Sequence, residues 1–130
     1  MRQARNIESV FAGVEHTALH CENGPYEVSA IEFSSRDVMP GALFFCVPGT
    51  AVDGHDFAAD ALGRGAVGLV VERELDLDAP QFLVDDARAA LALCSANFYD
   101  RPSRKLDLVG ITGTNGKTTT CFLVEHLVRH

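Results

Sequence analysis

At 130 residues the chain has room for about one domain with a real core. Hydrophobic residues at 47% and charged residues at 22% are globular values and exclude a disordered chain. A net charge of -7 repels phosphate backbones and excludes a nonspecific nucleic-acid binder, although one Lys with backbone N–H groups can still build a local phosphate site.

No run approaches the ~18 apolar residues that span a bilayer. Glu8 and Glu15 interrupt any apolar signal-peptide core, and His20 is the wrong residue ahead of Cys21 for a lipoprotein cleavage site. Cys21, Cys46, Cys94 and Cys121 are scattered, with no C-x-x-C pair, and the last three sit among apolar residues as reduced, buried thiols would. A soluble, cytoplasmic protein with no membrane partner is expected.

The first two dozen residues are weakly patterned, with one short helix around Ile7 to Ala12 and a polar stretch ending at Asn23-Gly24-Pro25. A strand-like run through Val28, Ala30 and Phe33 stops at Ser34-Ser35-Arg36. Met39-Pro40-Gly41 is a turn. Leu43 to Val47, bounded by Gly41 and Pro48, reads as a buried strand. After a loop from Gly49 to Gly54, Asp56 can cap a helix from Phe57 to about Arg64, with Phe57, Ala58, Ala61 and Leu62 on one face. Ala66 to Val71 is a second buried strand, Glu72 to Pro80 an acidic loop, and Gln81 to Val84 a short strand. Asp85 can cap a helix to about Tyr99, with Ala87, Ala90, Leu91, Cys94 and Phe98 inward. Strands alternating with helices predict an α/β domain.

Asp100-Arg101-Pro102-Ser103 has the composition of a domain boundary. Beyond it, Leu106 to Ile111 predicts a strand, Thr112 to Gly116 a loop, and Lys117 to about Arg129 a helix, the opening of a parallel βαβ unit. No second strand follows, so the sequence reads as the N-terminal piece of a longer protein.

Gly113-Thr114-Asn115-Gly116-Lys117-Thr118-Thr119 is the most informative stretch. Its glycines let successive N–H groups turn inward toward phosphate oxygens, and the helix start adds partial positive charge. Lys117 would reach the β- and γ-phosphates, and the Thr118 hydroxyl would sit on Mg²⁺. The full P-loop pattern wants a glycine where Ile111 stands, so the match is to the shorter G-x-x-G-K-T form. A nucleoside triphosphate is the expected ligand.

Other groupings are weaker. His16 with His20, and His126 with His130, have i, i+4 spacing but no third ligand. Asp76, Asp78, Asp85 and Asp86 read as a solvated loop and a helix cap.

The wording of the loop from Gly110 to Thr120 resembles the ATP loop of the Mur ligases, the amide-forming enzymes of peptidoglycan precursor synthesis. Cyanophycin and folylpolyglutamate synthetases carry similar loops. The run Ser34-Ser35-Arg36-Asp37-Val38-Met39-Pro40-Gly41-Ala42-Leu43-Phe44-Phe45, then Gly49, Asp53-Gly54-His55-Asp56-Phe57, Ala61 and Gly65-Ala66, resembles the uridine-binding first domain of the MurE and MurF branches. The likeness covers about residues 28–121, and the Thr114-Asn115 pair and the Tyr99 to Pro102 linker look more like MurE.

The resemblance implies an α/β architecture: a uridine-binding domain over 1–101, with a small sheet and flanking helices, then over 102–130 the first strand, P-loop and helix of a truncated parallel-sheet ATPase domain. It implies Phe33, Ser35, Thr50, Ala51 and Val52 as UDP-sugar contacts, Gly113 to Thr119 as the ATP loop, Lys117 as the catalytic group, and Thr118 as a Mg²⁺ ligand. Ser35 and the Gly49–Gly54 loop should face one another across a shallow groove at the strand ends. The family usually has Asp where Ser34 stands, which removes a carboxylate from the rim.

The implied reaction is ATP-dependent addition of a diamino acid, meso-diaminopimelate or L-lysine, to UDP-N-acetylmuramoyl-L-Ala-D-Glu through an acyl phosphate. The partners are those small molecules, with a monomeric state expected and the 130-residue chain inactive alone. Two other readings stay open: a MurF-type ligase adding D-Ala-D-Ala, and a stand-alone nucleotide-binding module without catalysis.

Overall fold

A computed structural model describes residues 4–21, 26–107 and 109–129. The expected turn at Asn23-Gly24-Pro25, Leu108 of the last strand and His130 of the second histidine pair lie outside these residues.

The centre is a five-stranded sheet in the order β2-β7-β6-β5-β4, from Thr17–Leu19 (β2), Ala30–Glu32 (β4), Ala42–Phe45 (β5), Gly68–Val71 (β6) and Gln81–Leu83 (β7). β4 to β7 run parallel, and β2 closes one edge antiparallel to β7. A two-stranded ribbon pairs Arg5–Asn6 (β1) with Glu27–Val28 (β3), next to a single helical turn at Ile7–Val10 (α1). The α/β class follows from the alternating elements, but β1 and β2 lie in the stretch with weak patterning. A three-residue edge strand such as β2, exposed at Thr17 and Ala18, has too few residues to show a period.

β5 and β6 are buried along their whole length because helices cover both faces of the sheet. Alternate side chains divide between two cores. Leu43, Phe45 and Val70 join α1 and the helix Ala87–Phe98 (α3) on one face. Ala42, Phe44, Cys46, Leu69 and Val71 meet the helix Ala58–Gly63 (α2) on the other. In α3 the buried residues are Ala87, Ala90, Cys94 and Phe98, with Leu91 half-buried against the same core.

The caps sit one and three residues away from the expected ones. Asp86, not Asp85, accepts the Ala89 N–H (2.8 Å) at the start of α3. Asp53, not Asp56, accepts the His55 N–H (3.0 Å), opening a 3-10 turn over Gly54–Phe57 that leads into α2. That turn moves Phe57 off the α2 face, and the residue is 41% exposed. The acidic loop 72–80 replaces a crossover helix and is pinned by the buried Gln81. The Gln81 Nε2 donates to the carbonyls of Leu75 (2.8 Å) and Leu77 (3.1 Å), and its Oε1 accepts the Leu75 N–H (2.9 Å).

The predicted strand over 106–111 is absent among its described residues. Pro102–Lys105 forms a 3-10 turn after two left-handed residues, Asp100 and Arg101, and Lys117–Arg129 (α4) follows the glycine loop. No described residue of 102–129 is buried, Cys121 included, which corrects the expectation of a buried thiol there. A strand exists only as one side of a hydrogen-bonded ladder, and the described chain offers 106–111 no partner. Among the described residues no helix is long and apolar enough to cross a membrane.

Candidate functional site

β4 and β5 both end at the same edge of the parallel sheet, where the next residues turn away from the ladder. A depression of about 240 Å³ opens there, lined by Phe33 to Arg36 after β4 and by Val47, Val52, Gly54 and Phe57 after β5. Open parallel sheets take ligands beyond the carboxyl ends of their strands, so this is the place to look for one. Phe33, Val52 and Phe57 present exposed apolar surface, and Arg36 supplies positive charge. A larger hollow of about 480 Å³ is lined by His20, Glu74, Asp76 and Asp78, a set that repels a diphosphate.

The loop that forms one wall is closed on itself. Pro48 and Asp53 form an antiparallel bridge, the Gly49 N–H donates to the Val52 carbonyl (3.0 Å), and the Gly54 N–H donates to the Val47 carbonyl (3.1 Å). Gly54 is required by close approach, since a Cβ there would lie 2.6 Å from both the N and the O of Val47. Behind the loop, the His55 side chain is 1% exposed. The Glu72 N–H donates to His55 Nε2 (3.0 Å), so the ring proton sits on Nδ1 and faces Asp53 Oδ1 (2.6 Å). Asp53 Oδ2 accepts from Arg73 Nη2 (2.8 Å). The His55 backbone N–H and then its ring hold the Asp53 carboxyl well below the usual carboxylate range, with Arg73 adding to the effect. The Arg88 guanidinium of α3 also donates to the Pro48 carbonyl (3.1 Å).

Of the residues expected to contact a UDP-sugar, Phe33, Ser35 and Val52 share the depression, while Thr50 and Ala51 sit on the exposed turn of the loop outside its lining. The buried Ser35 hydroxyl lies beside Asp60, whose carboxyl it lowers together with Arg64. Ser34 stands at the N-cap of the 3-10 turn Ser35–Asp37 and makes no side-chain cap bond there. Ser34, Arg36, Val47, Gly54 and Phe57 line the depression without being among the expected contacts. Only the spacing of the Asp53–Phe57 run could have signalled two of them.

The glycine loop is built differently. Gly116 takes a positive φ of 75°, a conformation that favours glycine, and α4 starts at the next residue. Lys117 folds back so that its ammonium donates to the Gly113 carbonyl. Thr118 and Thr119 are exposed in the first turn of a 13-residue helix. An ammonium, two hydroxyls and the free N–H groups of a helix start are a donor set that fits a polyphosphate with Mg²⁺. No group of three or more His, Cys, Asp or Glu that could hold a metal occurs among the described residues. His16 and His20 flank an extended strand rather than a helix, and His20 pairs with Glu74 (3.2 Å). Burial pushes the thiols of Cys46 and Cys94 up to about 12, which leaves them unreactive.

The sequence profile described as "Mur ligase family, catalytic domain" matches residues 27–99, more than half of the chain. The chain belongs to the Mur ligase family. Among its relatives, a UDP-N-acetylmuramoyl-L-alanyl-D-glutamate--2,6-diaminopimelate ligase of Geobacillus kaustophilus is 50% identical over 106 residues, which are 82% of this chain and 22% of that protein. A ligase of the same name from Listeria monocytogenes serotype 4b is 50% identical over 103 residues, 79% of this chain and 21% of its own length. The chain thus spans about a fifth of the length of these Mur ligases.

Among solved structures, a UDP-N-acetylmuramoylalanyl-D-glutamyl-2,6-diaminopimelate--D-alanyl-D-alanyl ligase from Acinetobacter baumannii has a TM-score of 0.72 at 26% identity, over 91% of this chain and 26% of that one. MurF ligase from Thermotoga maritima in complex with ADP has a TM-score of 0.50 at 33% identity, over 70% of this chain and 21% of its own. The family match holds the four parallel strands, the depression and its closed loop, and it ends before the glycine loop.

Proposed function

We propose that the chain supplies the nucleotide-sugar end of a MurE-type ligase, with 1–101 as the uridine-binding domain and 102–130 as the start of the ATPase domain. The whole reaction is ATP-dependent addition of a diamino acid to UDP-N-acetylmuramoyl-L-Ala-D-Glu, in the cytoplasm. The observation that carries this reading is the depression at the carboxyl ends of β4 and β5, inside a stretch about half identical to ligases named for that reaction.

In this reading Phe33, Val52 and Phe57 give the apolar walls for a planar base, the 49–54 loop gives backbone donors and acceptors, and Arg36 faces the diphosphate. Thr50 and Ala51, one turn out, contact the sugar side. Gly113 to Thr119 cradle the ATP phosphates, with Lys117 as the group that meets the transferring phosphate. Mg²⁺, held in part by the Thr118 hydroxyl, supplies charge neutralisation when bound. Amide formation then follows attack of the diamino acid on the acyl phosphate, using groups beyond this chain. The MurF-type reading has structural neighbours on its side, but the sequences matched at about half identity carry the diaminopimelate name.

The test is a graft. The corresponding N-terminal part of the Geobacillus kaustophilus ligase is replaced by residues 4–129 of this chain, glycine loop included, and diaminopimelate addition is assayed. Ligation is expected, and Lys117→Ala in the graft should leave less than about a tenth of kcat, a barrier cost of at least about 1.4 kcal/mol. A folded graft without ligation, or one indifferent to Lys117→Ala, contradicts the proposal.

A further inference from the structure

His55 is the one histidine buried among the described residues, and both of its ring nitrogens are used. Neither points into the depression. Nε2 takes the Glu72 N–H just past the end of β6, a donor with no partner in the strand ladder. Nδ1 faces Asp53, which closes the 48–53 loop through its bridge to Pro48 and takes Arg73 on its other oxygen. The Glu72 carboxylate in turn accepts the first N–H of α3, at Ala87 (2.8 Å). One imidazole therefore joins the loop, the end of the third strand and the start of a helix. Its chain neighbour Gly54 and, two residues further back, Val52 line the depression.

We propose that His55 is a positioning residue for the nucleotide depression, fixing the 48–54 loop against the end of β6 and so placing Val52 and Gly54 opposite Ser35. The proposal rests on the uridine-diphosphate reading for its ligand and on the hydrogen bonds alone for its mechanics. A buried phenyl ring of similar volume would fill the site and yet leave the Glu72 N–H and the Asp53 carboxylate without that partner. Packing and positioning can therefore be separated at this residue.

The experiment uses the 130-residue chain as wild type, His55→Phe and His55→Gln. UDP-N-acetylmuramic acid is the calorimetric probe, and amide hydrogen exchange is the second readout. The wild type should bind the probe, and His55→Phe should bind about tenfold or more weakly. His55→Gln, whose side-chain oxygen can reach the Glu72 N–H, should recover part of the loss. In His55→Phe the amides of Glu72 and Gly54 should exchange faster while those of β5 and β6 keep their protection.

Binding of His55→Phe within about twofold of wild type overturns the proposal. So does a His55→Gln chain as impaired as His55→Phe, or exchange raised equally through β5 and β6, which marks a general stabiliser. A wild type that does not bind the probe sinks the uridine reading instead. The Glu72 and Gly54 amides then still decide whether His55 holds the loop.

Discussion

Two apolar runs of the same kind meet different surroundings in this molecule. Leu43–Val47 and Leu106–Ile111 each precede a loop and a helix, and each reads as a strand. The first has β4 on one side and β6 on the other, and four of its five residues are fully buried. Among the described residues the second has no strand beside it, and Leu106 and Val109 are 62% and 73% exposed. The difference teaches that a period of side chains announces a strand, whereas neighbours on its edges make one. The same contrast separates the two candidate sites, a depression braced by three elements and a glycine loop that no strand precedes among the described residues.

The widest way to open this comparison is through the cores. Phe44→Ala removes a fully buried ring and should cost about 3–5 kcal/mol. Phe122→Ala, on the exposed α4, should stay within about 0.5 kcal/mol. Urea denaturation of both variants reads the difference, and equal losses would mean that α4 is packed as tightly as β5. Glycines sharpen the contrast at smaller scale. Gly54→Ala forces a methyl against the Val47 backbone and should cost about 1–3 kcal/mol. Gly110→Ala meets open space and should leave the denaturation midpoint unchanged.

Acid should loosen one region before the other. The Asp53 carboxyl has a lowered pKa in the fold, so its contribution is fully present above its unfolded value of about 4 and is lost as pH falls below that toward the folded pKa. Asp53→Asn should therefore flatten the decline of stability below about pH 4, and thermal melts from pH 5 to pH 2 check it. A variant whose melts keep the wild-type slope contradicts the assignment of Asp53 as the acid-sensitive tie. A small stabilising effect belongs to the rim, where Ser34 makes no cap bond. Ser34→Asp should add about 0.5–1 kcal/mol by accepting an N–H of the 35–37 turn, read as a small rise in melting temperature.

What could be read in the sequence follows from how local each signal is. β5, β6 and α3 were legible because burial on two faces writes continuous apolar runs, and one-face burial in α3 writes a helical period. β1 and β2 were not, since two- and three-residue strands have no period to show. The caps were displaced by one or three residues because adjacent aspartates, Asp85 with Asp86 and Asp53 near Asp56, are equivalent in composition and differ only in backbone angle. In the depression, Phe33, Ser35 and Val52 came from family resemblance rather than from pattern. His55 escaped because its partners, Glu72 and Asp53, belong to different elements, and no local spacing brings them together.

The most direct measurement of the unequal readiness of the two sites is a calorimetric titration of this one chain with UDP-N-acetylmuramic acid and, separately, with Mg·ATP. Ordering the four loop residues Gly113 to Gly116 ahead of α4, at roughly 1–2 kcal/mol each, consumes about half or more of the ~8 kcal/mol behind a micromolar affinity, whereas the depression is already walled by its closed loop. The account predicts binding of the UDP-sugar, little or no binding of ATP and no phosphate release. Micromolar ATP binding with measurable phosphate release, in a chain that ignores the UDP-sugar, would contradict it and make the chain a self-sufficient nucleotide module.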